Sequence, residues 1–169
     1  MAGKKWTKRL MSIVLVLVMA CSLVIPSFAV QEEDGWDSTL KIAVMSDLHY
    51  LSPSMIYAGE DYTHDLNSDR KMLTESSAII DEMLEAVEQD APDVLLISGD
   101  LTKDGELECH EGIAQKLQAL QQKLPGLKIY GAPGNHDNRN SNGKNFNTST
   151  GKATAATRTN PEDFKRAYD

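Results

Sequence analysis

Cysteine is scarce in this chain: Cys21 and Cys109 are the only two in 169 residues. A disulfide framework and an all-cysteine zinc site are both excluded. Basic residues are too few to balance the acids, and the net charge is −8. They are gathered into no stripe, so a nucleic-acid polymer is not an expected partner. No internal repeat is visible, and no phosphate-cradling Gly-x-x-x-x-Gly-Lys-Ser/Thr run follows a strand. A Gly-x-Ser-x-Gly nucleophile turn and a dinucleotide fingerprint are missing as well. Apolar residues at 41% and charged ones at 25% lie close to a globular average, which rules out a disordered, collagen-like or multi-span chain.

Residues 1–29 form a separate object. Lys4, Lys5, Lys8 and Arg9 precede an uncharged, mostly apolar run from Leu10 to Ile25, followed by Pro26-Ser27-Phe28-Ala29. That basic, apolar, small-residue order is that of a secretory signal peptide cut after Ala29. The run is short for a membrane span, which needs about 20 residues. An uncleaved anchor and lipidation at Cys21 rank below cleavage, and no stable span is expected after it. The expected location is secreted, cell-surface or periplasmic. Cleavage removes four cations and no acid, leaving a more acidic chain whose lone Cys109 has nothing to mispair with.

Residues 30–39 read as a polar leader, and 40–169 as a domain. Leu40–Met45, Val94–Ser98 and Leu127–Ala132 are short apolar runs of strand length. Between them, 69–89 reads as an amphipathic helix capped by Ser68, and a second helix runs from about Glu106 to Lys123. Alternating strands and helices imply right-handed crossovers and a parallel βαβαβ core; the class is α/β. Two helices can cover one sheet face and leave the other bare. From Asn138 to Thr159 the chain is rich in Asn and Thr, has four cations and contains no acid. It reads as a surface loop or as a basic rim beside an anion site. Asn160-Pro161-Glu162-Asp163 has the order of a helix start.

Each strand ends in a polar cluster. Asp47-Leu48-His49 follows the first, Gly99-Asp100 the second and Gly134-Asn135-His136-Asp137 the third. Open parallel sheets bind ligands at the carboxyl ends of their strands, so these residues are expected at one edge. Carboxylate, amide and imidazole donors suit Mn, Fe, Zn or Mg. The glycines before Asp100 and Asn135 permit sharp turns and close packing.

In these clusters the chain resembles the calcineurin-like metallophosphoesterases, whose signature is Asp-x-His, Gly-Asp and Gly-Asn-His-Asp/Glu, each closing a strand. The resemblance spans residues 40–137, includes the wording Gly99-Asp100-Leu101-Thr102, and with the export signal is closest to the secreted bacterial branch. It implies two divalent metals: Asp47 and His49 on the first, Asn135 on the second, Asp100 bridging. His136 would contact the phosphoryl oxygen or protonate the leaving group, with Asp137 orienting it. Two cations about 3.5–4 Å apart acidify water into a hydroxide nucleophile, so the implied activity is hydrolysis of phosphomonoesters or phosphodiesters. Complete family sites take further histidines downstream. None of the four histidines here follows His136, and the chain reads as the N-terminal part of a domain incomplete at its C-terminus.

The remaining candidates are weaker. His64 lies in a stretch, 50–67, that reads as a loop. With Tyr50, Tyr57 and Tyr62 it could wall a substrate, and Arg139 could face a phosphate from the basic rim. His110 and Cys109 read as structural residues of the second helix. Two further function classes stand beside the enzyme: a non-catalytic metal- or phosphate-binding secreted module, and a secreted interaction domain whose polar turns are only caps.

Overall fold

The computed structural model describes residues 39–138 and 140–169. The expected signal peptide, most of the expected leader, Cys21 and Arg139 lie outside the described residues. Strand β1 (Ile42–Met45), β2 (Val94–Ser98) and β3 (Lys128–Ala132) form a parallel sheet in the order β1-β2-β3. Helices α1 (Glu60–Ser68), α2 (Ser76–Asp90), α3 (Leu107–Lys123) and α4 (Pro161–Tyr168) accompany it. Strands β4 (Lys144–Asn145) and β5 (Thr154–Ala155) make a short antiparallel pair. The α/β class with a parallel three-stranded core is what strand and helix alternation implies.

Alternation within the strands decides where the core sits. Met45, Leu95 and Ile97 point to one face and are buried with Ile80, Leu84 and Val87 of α2 and Ile113, Leu117 and Leu120 of α3. Lys116 pairs with Asp81, and Lys123 with Glu88, between those two helices. The other face carries Ile42, Val44, Leu96 and Tyr130, all exposed. Among the described residues no helix is long and apolar enough to cross a membrane.

Two expectations need correction. The helix expected over 69–89 begins at Ser76, and the stretch 50–67 is not a loop but contains a 3-10 turn (Pro53–Met55) and α1. Ser68 ends α1 instead of capping α2. The break follows from Asp69, whose carboxylate accepts the Lys71 backbone N–H at 3.2 Å and so competes with a helical ladder. The Asn138–Thr159 segment is anchored, with Phe146 and Thr159 buried and β4 paired to β5. The helix start at Asn160 is present with both hydrogen bonds of a capping box.

Candidate metal centre

The three loops at the carboxyl edge are built from unusual backbone. Asp47 (φ 55), His49 (φ 42) and Asp100 (φ 48) are left-handed without being glycine, a conformation costing about 1–2 kcal/mol per residue. Continuation of the β1–β2 pairing holds them there. The N–H of Asp47 donates to Gly99 O (3.2 Å), that of His49 to Asp100 O (2.9 Å) and that of Tyr50 to Leu101 O (2.9 Å). Gly99 (φ 82) turns the chain, and a Cβ on it would lie 3.0 Å from the Gly134 Cα. A Cβ on Gly134 would stand 2.2 Å from Asp100 Oδ1. The second and third clusters therefore touch backbone to backbone, which explains why glycine precedes both Asp100 and Asn135.

The side chains converge as the strand ends dictate. One ligand atom each from His49, Asp100 and His136 lies within 4.8 Å of the others. His49 Nε2 is 3.9 Å from Asp100 Oδ2 and 4.0 Å from Asp47 Oδ1, too far for hydrogen bonds. Its Nδ1 is buried with no partner among the described residues. Burial, and then the nearby Lys71 charge, lower the His49 pKa against the pull of Asp100 and Asp47. The ring is thus held toward its neutral, ligating form. Oxygen and imidazole donors facing one point without bonding to one another fit a divalent cation. Of that three-residue group Asp47 reaches His49 alone, and it lies outside the group on a side chain that is 67% exposed. Asn135 is exposed on the β3 loop beside His136.

His136 is tied down on both sides. Its N–H donates to Asp100 Oδ1 (3.0 Å), and its ring stands edge-on to His49 at 5.0 Å. Nδ1 lies 2.7 Å from Lys103 O and 2.9 Å from Asp104 Oδ1, with the Lys71 Nζ at 3.4 Å. Two acceptors at Nδ1 place the proton there and leave Nε2 with a free lone pair.

The expected role of Asp137 is corrected by its contacts. Its carboxylate is fully buried and accepts from the N–H groups of Leu101 (3.1 Å), Thr102 (2.9 Å) and Gly134 (2.7 Å), and from the Thr102 hydroxyl. Asp137 therefore staples the second cluster to the third. Asp104 is the carboxylate on the His136 ring. Asp104, Lys103 and Lys71 escaped the sequence reading because they sit in polar stretches that resemble solvated loops. Only the Gly105 after Asp104 hinted at a tight turn.

The weaker candidates separate. His64 projects from α1 with 79% of its side chain exposed, beside Asp65. Tyr50 and Tyr62 belong to the core, Tyr62 donating to or accepting from Thr74 at 2.8 Å, so no tyrosine wall forms. Two cations of the basic rim are paired with α1: Lys144 with Asp65, and Lys152 with Glu60 and Asp61. His110 is fully buried beneath the third cluster, with Nε2 2.9 Å from Asp137 O and Nδ1 2.9 Å from the Tyr168 hydroxyl. Burial pushes the Cys109 thiol well up, leaving it inert. A cleft of about 560 Å³ opens beside Asp47 and His49, walled by Arg70, Lys71, Met72 and Ile79.

No curated protein matches the chain. A family model described as calcineurin-like phosphoesterase matches residues 40–166, a span that contains all three strand-end clusters and the imidazole–carboxylate group they assemble. The chain belongs to the calcineurin-like phosphoesterase family, which implies metal-dependent hydrolysis of phosphate esters.

Proposed function

We propose that this protein is an exported phosphoesterase with two divalent ions, acting on phosphomonoesters or phosphodiesters. The observation that supports a metal centre is the convergence of His49, Asp100 and His136 at the carboxyl edge of the parallel sheet; the division into two ions rests on the strand-end motifs. Asp47 and His49 would hold the first ion, Asn135 the second, and Asp100 both. Bound Mn, Fe, Zn or Mg supplies Lewis-acid activation of water and neutralises phosphoryl oxygens. His136 would stand outside the ions and would present Nε2 to a phosphoryl oxygen or a leaving-group oxygen. Export is supported by the order of residues 1–29, and Edman sequencing of the mature protein tests it: a chain beginning at Val30 is expected.

The compact His49–Asp100–His136 group also favours a second reading, a single ion held by those three side chains. His136→Ala separates them. Retained metal with turnover of p-nitrophenyl phosphate or its diester down about 10²–10⁴-fold supports the two-ion reading; loss of metal with activity makes His136 a ligand. Asp100→Asn is expected to abolish both metal content and turnover, and normal stoichiometry in that variant removes Asp100 from the centre. Metal bound without any turnover identifies a non-catalytic binding module.

A further inference from the structure

A line of alternating charges runs inward from the surface to His136. Lys144 on β4 pairs with Asp65 on α1 at 2.8 and 3.0 Å. Asp65 Oδ2 lies 3.5 Å from the Lys103 ammonium, and Lys103 donates to Asp104 Oδ2 at 2.6 Å. Asp104 Oδ1 then meets His136 Nδ1 at 2.9 Å and accepts from Asn140 at 3.2 Å. Lys103 is only 3% exposed and lies 5.9 Å over the Phe146 ring. A lysine is seldom buried so fully, and desolvating its charge is costly.

We propose that Lys103, backed by Asp65, is a positioning residue for His136: it holds one oxygen of Asp104, so that the other fixes the proton on Nδ1 and Nε2 faces the sheet edge. Only the kinetic consequence rests on the phosphoesterase reading. The geometry divides the carboxylate: among the described residues Oδ2 is held by Lys103 alone, and Oδ1 by His136 and Asn140. Without the ammonium, Asp104 would be a buried carboxylate with its Oδ2 unpaired, free to rotate or to protonate. In either case the Nδ1 proton keeps only the Lys103 carbonyl, at 2.7 Å, while the Lys71 ammonium, 3.4 Å away, can donate to that nitrogen and favour the other tautomer. The charge states agree. Burial would pull the Lys103 ammonium down, but the Asp104 hydrogen bond and the charges of Asp104, Glu106 and Asp65 outweigh it and raise its pKa. Burial would raise Asp104, yet the Lys103 hydrogen bond and charge, with His136, bring it below the ordinary carboxylate value.

The test is imidazole nitrogen NMR on the ¹⁵N-labelled full chain without metal, at a pH where the rings are neutral. Wild-type His136 is expected as a single tautomer, with Nδ1 protonated and Nε2 bare. In Lys103→Met that signature is lost to a mixture of tautomers, while His110 keeps its own resonances as a check on folding. With metal added, kcat falls about tenfold, in the range for partners that orient site groups, and KM changes little. A folded Lys103→Met that retains the pure tautomer overturns the proposal. Should that variant not fold, Asp65→Asn decides in the same way, since Lys144 and Asp65 lie at the outer end of the line. A wild type that hydrolyses no ester, yet loses the tautomer in Lys103→Met, removes the phosphoesterase reading alone. An active wild type whose Lys103→Met keeps the tautomer removes this one alone.

Discussion

Asp47, His49, Asp100 and Ala91 are the four non-glycine residues with positive φ among those described. Ala91 needs no special account, because it closes the C-terminus of α2. The other three are the residues that bring carboxylate and imidazole together. Strain of this kind persists where surrounding structure enforces it, and it gathers at functional sites. Asp47 is the clearest case, since its side chain is largely exposed and is bonded to Ser46. Asp47→Gly removes the left-handed penalty while deleting a carboxylate proposed for the first ion. The fold is expected to gain about 1 kcal/mol, read as a rise of a few degrees in Tm, while Mn²⁺ affinity falls. A variant with lower Tm would mean that Asp47 contributes to folding through contacts absent from the structure.

At the scale of elements, strands and their ends were legible because each apolar run stops at a turn and the turn residue types are distinctive. The α4 start was legible for the same reason, as Asn160 to Asp163 spell a local rule. The α1–α2 region was not. Helix α1 buries only Tyr62 and Asp65, so its apolar stripe is too thin to read, and the Asp69 turn is a side-chain decision made against the periodicity. Asp104 and Lys103 were illegible for a different reason: burial of a polar residue is settled by elements far away in sequence, here α1 and the β3 loop. His110 shows the same thing on α3. Its place in the apolar stripe was clear, but its bonds to Asp137 and Tyr168 join α3 to the β3 loop and α4. Burial lowers its pKa against the pull of Asp137. Above pH 6.5 both folded and unfolded chains hold the ring neutral, and stability is complete. Below it the unfolded chain takes the proton first, so stability falls by up to about 1.4 kcal/mol per pH unit until the folded ring also titrates. His49, lowered too, adds to the same slope. Asp65 and Asp104 are lowered from 3.8, so their share is lost only at still lower pH. Urea midpoints between pH 8 and 5 are expected to fall in wild type and to fall less steeply in His110→Gln, although that variant starts lower. Equal slopes would show that His110 does not titrate in this window.

For the molecule as a whole, ligands and charge act in the same direction. A chain of net charge −8 with two carboxylates and two imidazoles at one sheet edge draws divalent cations toward a site where His49 is kept neutral to receive them. An ion that binds the folded chain alone stabilises it by mass action, about 2.7 kcal/mol at a hundred times Kd. For a domain of this size that is a Tm rise of roughly 10 °C, reversed by EDTA. Under the proposed two-ion reading the ions would not be served equally. The first would have Asp47, His49 and a share of Asp100, whereas the second would have the neutral amide of Asn135 and the same shared carboxylate. Mn²⁺ titration is therefore expected to raise Tm in two stages, an early one and a weaker one at much higher concentration. His49→Ala should remove the early stage, and Asn135→Ala only the late one. A single stage surviving in His49→Ala would place the bound ion elsewhere on the acidic surface and separate the strained loops from metal binding.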